Sequence, residues 1–356
     1  MEQTPTWLDD FGQKPLIIAG PCSAETREQV LATAQKLSNS KVSIFRAGIW
    51  KPRTRPGSFE GVGEIGLKWL QEAKEMTGLP IAVEVASPAH VRLASDYGAD
   101  VLWIGARTTV NPFAVQEIAD SLKNTDKIVL IKNPINPDLS LWIGALERFT
   151  AAGVEKIGVI HRGFSIYKKI KFRNEPQWEI PVDFQQRYPH IPLLCDPSHI
   201  GGNRSFIADI SQTALNLNFD GLMIETHPYP EAAWSDSEQQ ITPENLLQII
   251  DNLKLRKETL TEENYLHSLS NLRVEIDQID AQLMELFGKR MQFSDKIGTL
   301  KKEKNVAVLQ TERWQEILQK IIPEGEKHGL SRKFILKMFN AVHQESIRHQ
   351  NKIMQT

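Results

Sequence analysis

Short apolar runs recur through the first 250 residues, and polar residues follow each of them. The runs are LIIAG (16–20), SIFRAG (43–48), IAVEV (81–85), VLWIG (101–105), IVLIK (128–132), KIGVIH (156–161), PLLCD (192–196) and GLMIE (221–225). Each is rich in β-formers and too short for a buried helix. Helical patterns at 26–38, 61–77, 111–123 and 203–218 separate most of them. This alternation predicts an α/β fold, with parallel βα units closed into a (β/α)8 TIM barrel.

Polar side chains cluster at the predicted strand exits. In a barrel these exits share one rim, where the active sites of this architecture lie. The rim residues would be Cys22, Arg46, Lys51, Glu84, Arg107, Lys132, His161, Arg162, Asp196, His199, Glu225 and His227. A scaffold does not need so many polar groups converging on one rim, so the pattern predicts an enzyme.

The apolar pattern changes at about residue 265. Apolar residues then follow one another at steps of three and four, at Leu269, Leu272, Ile276, Ile279, Leu283 and Leu286. That spacing predicts a long amphipathic helix over 262–304, with Thr261 as its N-cap. A second helix is predicted over 310–322, ending at Pro323, and a third from a Ser331 cap to about 352.

These patterns predict a barrel over 1–255, a linker over 256–265 and a small all-α domain of three helices over 266–356. A helix of about 40 residues is ~60 Å long. A domain of about 90 residues cannot cover such a helix alone, so we expect an intertwined homodimer.

Composition excludes several classes of protein. The 356 residues carry a net charge of −2, which predicts no nucleic-acid and no membrane partner. Two cysteines rule out a disulfide framework. No apolar run approaches the ~20 residues of a membrane span. The first 15 residues lack the apolar core of a signal peptide. A reducing cytoplasm is the expected location.

Four residues near the rim could form one metal site: Cys22, His199, Glu225 and Asp236. A thiolate, an imidazole and two carboxylates suit a borderline divalent ion such as Mn, Fe, Co or Zn. The alternative for Cys22 is a small buried apolar residue. Its position between proline and serine at a strand exit favours the metal site, whereas Cys195 is expected in the core.

A set of cations also follows the strands: Arg46, Lys51, Arg53, Arg107, Lys132 and Arg162. Such convergence favours a small polyanion that carries phosphate and carboxylate, which arginine binds in a bidentate manner. For any single cation, the alternative is a salt bridge to a rim carboxylate such as Glu84 or Asp196.

Seven motifs stand in order along the barrel: GPCSAE, RAGIWKPRTRPGSFEG, IGARTT, LIKNP, HRGF, DPSHIGG and IETHPYPEAAWSD. Over residues 14–250 the chain resembles the 3-deoxy-D-arabino-heptulosonate 7-phosphate (DAHP) synthases, of the short-barrel type similar to 3-deoxy-octulosonate 8-phosphate synthases. The resemblance implies that phosphoenolpyruvate condenses with erythrose 4-phosphate and phosphate is released. An octulosonate synthase, using arabinose 5-phosphate, is the alternative that the KPRT motif opposes.

The resemblance also implies residue roles in the barrel. The metal, Mn first among the candidates, would be held by Cys22, His199, Glu225 and Asp236. Arg107 and Arg162 would hold the phosphate of phosphoenolpyruvate, and Arg46, Lys51 and Lys132 its carboxylate. The KPRT residues Lys51, Pro52, Arg53 and Thr54 would meet erythrose 4-phosphate.

The tail has charged residues that, on spacing alone, are typical of a solvated helix face. The stretch NLRVEIDQIDAQLMELFGKRMQFSDKIGTLKKEK, however, resembles the first helix of the all-helical chorismate mutases, with similarity over 268–353. This implies rearrangement of chorismate to prephenate in an intertwined dimer. Lys301 and Gln350 would contact the breaking ether oxygen. Arg273 (from the neighbouring chain), Arg290, Arg313 and Ser346 would hold carboxylates or their surroundings.

Two positions of the tail depart from the mutase pattern. Trp314 and Gln310 stand where that family commonly has acids, so contact with the substrate hydroxyl is in question. The alternative is a non-catalytic sensor and dimerisation module. A tail that binds chorismate and prephenate is also expected to mediate feedback inhibition of the barrel.

Overall fold

A computed structural model describes residues 7–12, 14–51, 57, 59–167, 171–256 and 262–355. Thr261, Pro52, Arg53 and Thr54, singled out in the sequence, lie outside the described residues. The chain divides into two compact units, Met1–Glu258 and Thr259–Thr356.

The first unit is built on a closed barrel of eight parallel strands in sequential order. The strands are β1 Leu16–Gly20, β2 Ile44–Arg46, β3 Ile81–Val85, β4 Val101–Ile104, β5 Ile128–Lys132, β6 Ile157–His161, β7 Leu193–Cys195 and β8 Gly221–Glu225. Strand β8 returns to β1, with Leu16 opposite Gly221. Each predicted apolar run contains one strand, so the TIM-barrel prediction is confirmed.

Helices surround the barrel. They are α1 Arg27–Leu37, α2 Glu64–Thr77, α3 Pro88–Asp96, α4 Ala106–Thr109, α5 Pro112–Ser121, α6 Leu139–Ala151, α7 Glu179–Arg187, α8 Pro197–Gly201, α9 Ile207–Asn216 and α10 Pro243–Asn252. In α3, α5, α8 and α10, a polar cap side chain accepts a backbone hydrogen bond and a proline follows it. Proline suits this position because its missing N–H would be unpaired there anyway.

Alternate residues of each strand face two separate apolar layers. The inner layer fills the barrel and includes Ile18, Trp103, Leu130 and Ile160. The outer layer lies between strands and helices and includes Val83, Ile131 and Val159. A 3₁₀ helix, Trp7–Phe11, adds Trp7 and Leu8 to the inner layer. The Trp7 indole donates to the carbonyl of Ile157 at 2.9 Å, and so closes the amino-terminal end of the barrel.

The second unit has three helices: α11 Glu263–Glu303, α12 Thr311–Lys327 and α13 Arg332–Gln355. Ser331 caps α13 as predicted, because its hydroxyl accepts from the Phe334 amide at 3.2 Å. The predicted end of the second helix at Pro323 is wrong, since α12 continues through the proline. Ile335 of α13 packs against Gly325, two residues after the proline: a Cβ on Gly325 would lie 2.6 Å from Cδ1 of Ile335. Tertiary packing thus overrides the interruption that proline makes.

The long helix α11 is covered at one end only. It packs on α13, where Gly298 allows close approach: an added Cβ would lie 3.2 Å from the Cα of Gln350. In contrast, every residue from 270 to 286 is exposed. Ile276 and Ile279 of the predicted apolar seam each have 56% of their surface exposed.

Candidate active sites

Three of the four predicted metal ligands meet at the rim of the barrel. Ligand atoms of Cys22, Glu225 and Asp236 all lie within 4.8 Å of one another. The Cys22 Sγ is 3.3 Å from Oδ2 of Asp236. Glu225 ends β8, Cys22 lies two residues beyond β1, and Asp236 lies in the loop after β8. Neighbouring strands therefore bring together residues more than 200 positions apart.

The fourth predicted ligand, His199, lies beside this group rather than within it. Its Nδ1 is 3.9 Å from Oε1 of Glu225 and 2.8 Å from Oδ2 of Asp196. The second contact lacks hydrogen-bond geometry, so Nδ1 has no hydrogen-bond partner among the residues in the described ranges. Asp196 also caps α8 by accepting from the His199 amide at 3.0 Å, which holds this histidine at the rim.

The three grouped residues fit a divalent cation. Glu225 is fully buried, and its Oε1 has no hydrogen-bond partner within the described part of the chain. Burial raises the pKa of the Cys22 thiol to about 12, and the charge of Glu225 acts in the same direction. Buried acidic donors this close need a compensating positive charge, and a bound metal ion deprotonates a coordinating thiol. The donor set is that of a borderline ion.

Cations border the acidic group, as predicted, and three already contact acidic side chains of the rim. Arg46 lies 3.3 Å from Glu225 and stacks on Trp103, 4.7 Å from the ring centroid. Lys51 is 3.1 Å from the Cys22 sulfur. Lys132 forms a buried 2.7 Å salt bridge with Asp196. For Lys132 the alternative of a rim salt bridge is therefore what the structure shows, and any substrate carboxylate would share that cation.

Arg162 differs from these cations because no carboxylate bonds to it in the described parts of the chain. It is 9% exposed, and it donates to the side chain of Asn174 at 2.9 Å. Burial lowers the pKa of Arg162 to about 10, and the charges of Arg173 and Arg107 act in the same direction. Arg107 is thus close enough for its charge to act on Arg162; that the two bind one phosphate stays a prediction.

The prediction that His161 lies at the rim site is wrong. This residue shares the outward face of β6 with Val159, because side chains alternate along a strand. Its ring lies among the rings of Trp142, Phe164, Trp178 and Phe219. Burial lowers the pKa of His161 to about 3, so it is a neutral residue of the outer core.

Several polar residues near the site were not found in the sequence. Arg173 donates to Asp236 at 2.9 Å and to Gln239 at 2.7 Å. The buried Glu25 accepts from the Trp234 amide at 2.8 Å and lies 3.4 Å from His227. Loop residues follow no period. Only the density of polar letters in SDSEQQ (235–240) could have indicated Gln239.

The helical unit places four predicted mutase residues where α11 crosses α13. Arg290 hydrogen-bonds the hydroxyl of Ser346. Lys301 donates to the carbonyl of Val308 at 2.6 Å. Gln350 is buried, and its Oε1 has no partner among the residues that the structure describes. Burial lowers the pKa of both Arg290 and Lys301.

Two further predicted residues lie away from that crossing. Arg273 is exposed and, at 1.5 Å per residue, lies about 25 Å along α11 from Arg290. One site in one chain cannot use both. Arg313 is exposed and pairs with Glu316 at 2.7 Å.

Trp314 stacks on His343, with ring centroids 4.1 Å apart and planes inclined by 10°. Burial and the charge of Arg290 lower the pKa of His343. Trp314 thus occupies the neighbourhood of Arg290, where the mutase pattern commonly has an acid.

Known proteins resemble the two units separately. Residues 8–262 match the DAHP synthetase I family, and residues 272–351 match chorismate mutase type II. The phospho-2-dehydro-3-deoxyheptonate aldolase of Thermotoga maritima is 34% identical, over 67% of this chain and 68% of that protein. The 2-dehydro-3-deoxyphosphooctonate aldolase of Geobacter sulfurreducens is 26% identical, over 68% of this chain and 93% of that protein.

A solved structure agrees with these matches. The DAHP synthase of Thermotoga maritima superposes with a TM-score of 0.61 at 32% identity, covering 67% of each chain. None of the helices in the described ranges has the length and apolarity that crossing a membrane requires. The barrel, the rim site and the family match agree: the chain belongs to the DAHP synthetase I family, and its helical unit is a chorismate mutase type II domain.

Proposed function

We propose that the chain catalyses two reactions of the shikimate pathway, each with the residues named above. The barrel condenses phosphoenolpyruvate with erythrose 4-phosphate to DAHP and phosphate. The helical domain rearranges chorismate to prephenate. The observation that carries the first assignment is the convergence of Cys22, Glu225 and Asp236 with five cations on one rim.

In the condensation, C3 of phosphoenolpyruvate attacks the aldehyde carbon of erythrose 4-phosphate. Water adds at C2, and the C2–O bond to phosphate breaks. Arg107 and Arg162 bind the phosphate of phosphoenolpyruvate, and Arg46, Lys51 and Lys132 bind its carboxylate. Holding phosphoenolpyruvate and erythrose 4-phosphate in a fixed relation makes the reaction effectively unimolecular. This can lower the activation free energy by ~7–11 kcal/mol.

The proposed ligands of the metal are Cys22, His199, Glu225 and Asp236. A divalent ion there would polarise the aldehyde oxygen or order the attacking water. Manganese is our first candidate, with iron, cobalt and zinc as alternatives, because thiol, imidazole and carboxylate together select a borderline ion. His199 is included because its Nδ1 lies 3.9 Å from Oε1 of Glu225.

The proposed aldose is erythrose 4-phosphate. The KPRT motif begins at Lys51, whose ammonium contacts the Cys22 sulfur. The higher identity to the heptonate aldolase than to the octonate aldolase, 34% against 26%, supports the same choice. A barrel that uses arabinose 5-phosphate is the alternative.

In the rearrangement no proton moves, so the domain acts by fixing charge. Arg290, Arg313 and Ser346 hold substrate carboxylates or their surroundings. Lys301 and Gln350 meet the ether oxygen as negative charge develops on it. Arg273 completes the site of a second chain, because it lies about 25 Å from Arg290 along α11. The proposed assembly is therefore an intertwined homodimer, in which the exposed seam of α11 is buried.

A pair of assays tests the proposed function. Purified protein is given phosphoenolpyruvate with either erythrose 4-phosphate or arabinose 5-phosphate, and separately chorismate. We expect phosphate release with erythrose 4-phosphate and formation of prephenate. Equal turnover of both aldoses would contradict the KPRT assignment. Chorismate that binds without turnover would leave the helical domain as a sensor, which the stacked Trp314 would then explain.

We also propose that prephenate inhibits the condensation by binding the helical domain. Prephenate would be the product of that domain and lies downstream of the barrel reaction. Deleting 265–356 should abolish the inhibition. If prephenate changes the affinity for phosphoenolpyruvate by some factor, linkage requires phosphoenolpyruvate to change the affinity for prephenate by the same factor. Such a coupling free energy is usually ~1–3 kcal/mol. Identical prephenate titrations with and without phosphoenolpyruvate, together with an uninhibited barrel, would contradict this proposal.

A further inference from the structure

A chain of hydrogen bonds joins an arginine at the rim to both carboxylates of the proposed metal site. Arg173 donates through one terminal nitrogen to Oδ1 of Asp236 at 2.9 Å and to Oε1 of Gln239 at 2.7 Å. The amide nitrogen of Gln239 then donates to Oε2 of Glu225 at 2.6 Å. Gln239 is 1% exposed, so the hydrogen bond between Gln239 and Glu225 is shielded from solvent. We call these two residues, Arg173 and Gln239, the brace.

The brace engages one oxygen of each carboxylate and leaves the second oxygen of each outside it. With Oδ1 of Asp236 held, Oδ2 lies 3.3 Å from the Cys22 sulfur. With Oε2 of Glu225 held, Oε1 has no hydrogen-bond partner within the described residues and lies 3.3 Å from Nη1 of Arg46. Glu225 itself belongs to the group that could bind an ion. Each carboxylate can therefore offer one oxygen to a common point between them.

The local backbone supports this arrangement. Gly202 has φ +64, and a Cβ there would lie 2.3 Å from the Cβ of Arg173, so glycine leaves room for the arginine stem. Asp236 also has a positive φ of 48, which is uncommon for a residue other than glycine. Arg204 donates to the Ser237 carbonyl at 2.8 Å and helps to hold that loop.

We propose that Arg173 and Gln239 are positioning residues for the divalent ion, a role that rests on the proposed metal site. Neither is among the proposed metal ligands or the proposed substrate-binding residues. They act by fixing the rotation of two carboxylates, as hydrogen-bond partners of metal ligands generally do. Without them, Asp236 and Glu225 would remain at the rim but would sample orientations that offer the wrong oxygen.

The test measures metal affinity directly in the full-length protein. Chelator-treated wild type, Arg173→Gln and Gln239→Leu are titrated with Mn²⁺ alone, and with Co²⁺ to follow the thiolate-to-metal absorption band of Cys22. We expect one ion per wild-type chain and an affinity about 10–100-fold weaker in each variant. Arg173→Lys should recover part of the loss, because one ammonium can still reach a carboxylate. At saturating metal the cobalt band and condensation should return.

Arg187→Gln is the matched control, because Arg187 is an exposed arginine that pairs only with Asp183, at 2.9 Å, among the described residues. It should bind Mn²⁺ as wild type does. Chelator-treated variants should also melt within about a degree of wild type, since the brace orders side chains rather than the core. Wild-type metal affinity in both brace variants would overturn the positioning role of Arg173 and Gln239 but leave the proposed metal site standing. A wild-type chain that binds no ion would overturn the proposed metal site itself.

Discussion

The barrel and the helical unit differ in how much of a site one chain completes. In the barrel, acids and cations from strands β1, β2, β5 and β8 meet within one chain, and most are buried. In the helical unit, Arg290 and Ser346 meet, whereas Arg273 and the apolar seam of α11 remain exposed. A closed sheet gathers its strand ends on one rim. In the helical unit the longest helix has 41 residues, and it holds Arg273 about 25 Å away from Arg290.

Removing metal should separate the two units most sharply. We expect exhaustive chelation to reduce condensation to background and leave chorismate turnover unchanged, because the pericyclic rearrangement needs no Lewis acid. Both rates are measured on one chelated sample, and Mn²⁺ is then added back. A full rate of condensation in protein shown to be metal-free would contradict the proposed metal site.

The apolar seam offers the next largest effect. Ile279→Glu would place a charge in the proposed dimer interface, where an unpaired buried charge costs about 3–5 kcal/mol. Dimer affinity and chorismate turnover should fall by more than about 10², with condensation retained. Sedimentation and both assays measure this.

Gln278→Glu is the control for that variant, since it adds the same carboxylate to the neighbouring exposed position. A dimer of unchanged affinity in Ile279→Glu would place the interface elsewhere.

Individual mutase cations should matter somewhat less. Arg290→Ala and Lys301→Ala should each lower the rate by about 10², the usual ~3 kcal/mol for one lost donor at developing charge. Lys289→Ala, one residue away and paired with Glu285, should change little. Wild-type rates in both alanine variants would show that Arg290 and Lys301 only belong to a solvated helix face and have no catalytic role.

The smallest effect concerns His161 in the barrel. Its pKa of about 3 lies below the ordinary value of 6.5, so the unfolded chain takes up the proton first as pH falls. The stability from keeping the ring neutral is therefore present above pH 6.5 and is lost as pH falls towards 3. Between pH 7.5 and 5.5 the free energy of unfolding should drop by about 1.4 kcal/mol from this residue.

Tryptophan fluorescence during urea unfolding reports this change, because seven of the eight tryptophans precede residue 258. His161→Phe should remove that part of the pH dependence, whereas His190→Phe, at an exposed position, should retain it. Equal pH dependence in wild type and His161→Phe would show that the buried ring takes up its proton at the same pH as in the unfolded chain.

The strands and helices were predictable because periodicity reports burial. All eight apolar runs contain strands, and the cap at Ser331 is where its residue type indicated. What failed depends on contacts that no period encodes. His161 ends a strand, and only the alternation established by Val159 shows that it faces outward. Pro323 lies inside α12, two residues before Gly325 meets Ile335 of α13. Arg173 reaches Asp236 across 63 residues of sequence, between loops whose meeting only the closed barrel determines.

The separation of Arg273 from Arg290 along α11 has a genetic meaning. If each proposed mutase site takes Arg273 from one chain and Arg290 from the other, Arg273→Ala and Arg290→Ala are complementing alleles. A mixed dimer then holds one site with both defects and one with neither. Random mixing of equal amounts makes half of the dimers mixed, so about a quarter of all sites become intact. Two inactive populations would recover rearrangement by exchanging partners, although no residue in either had been repaired.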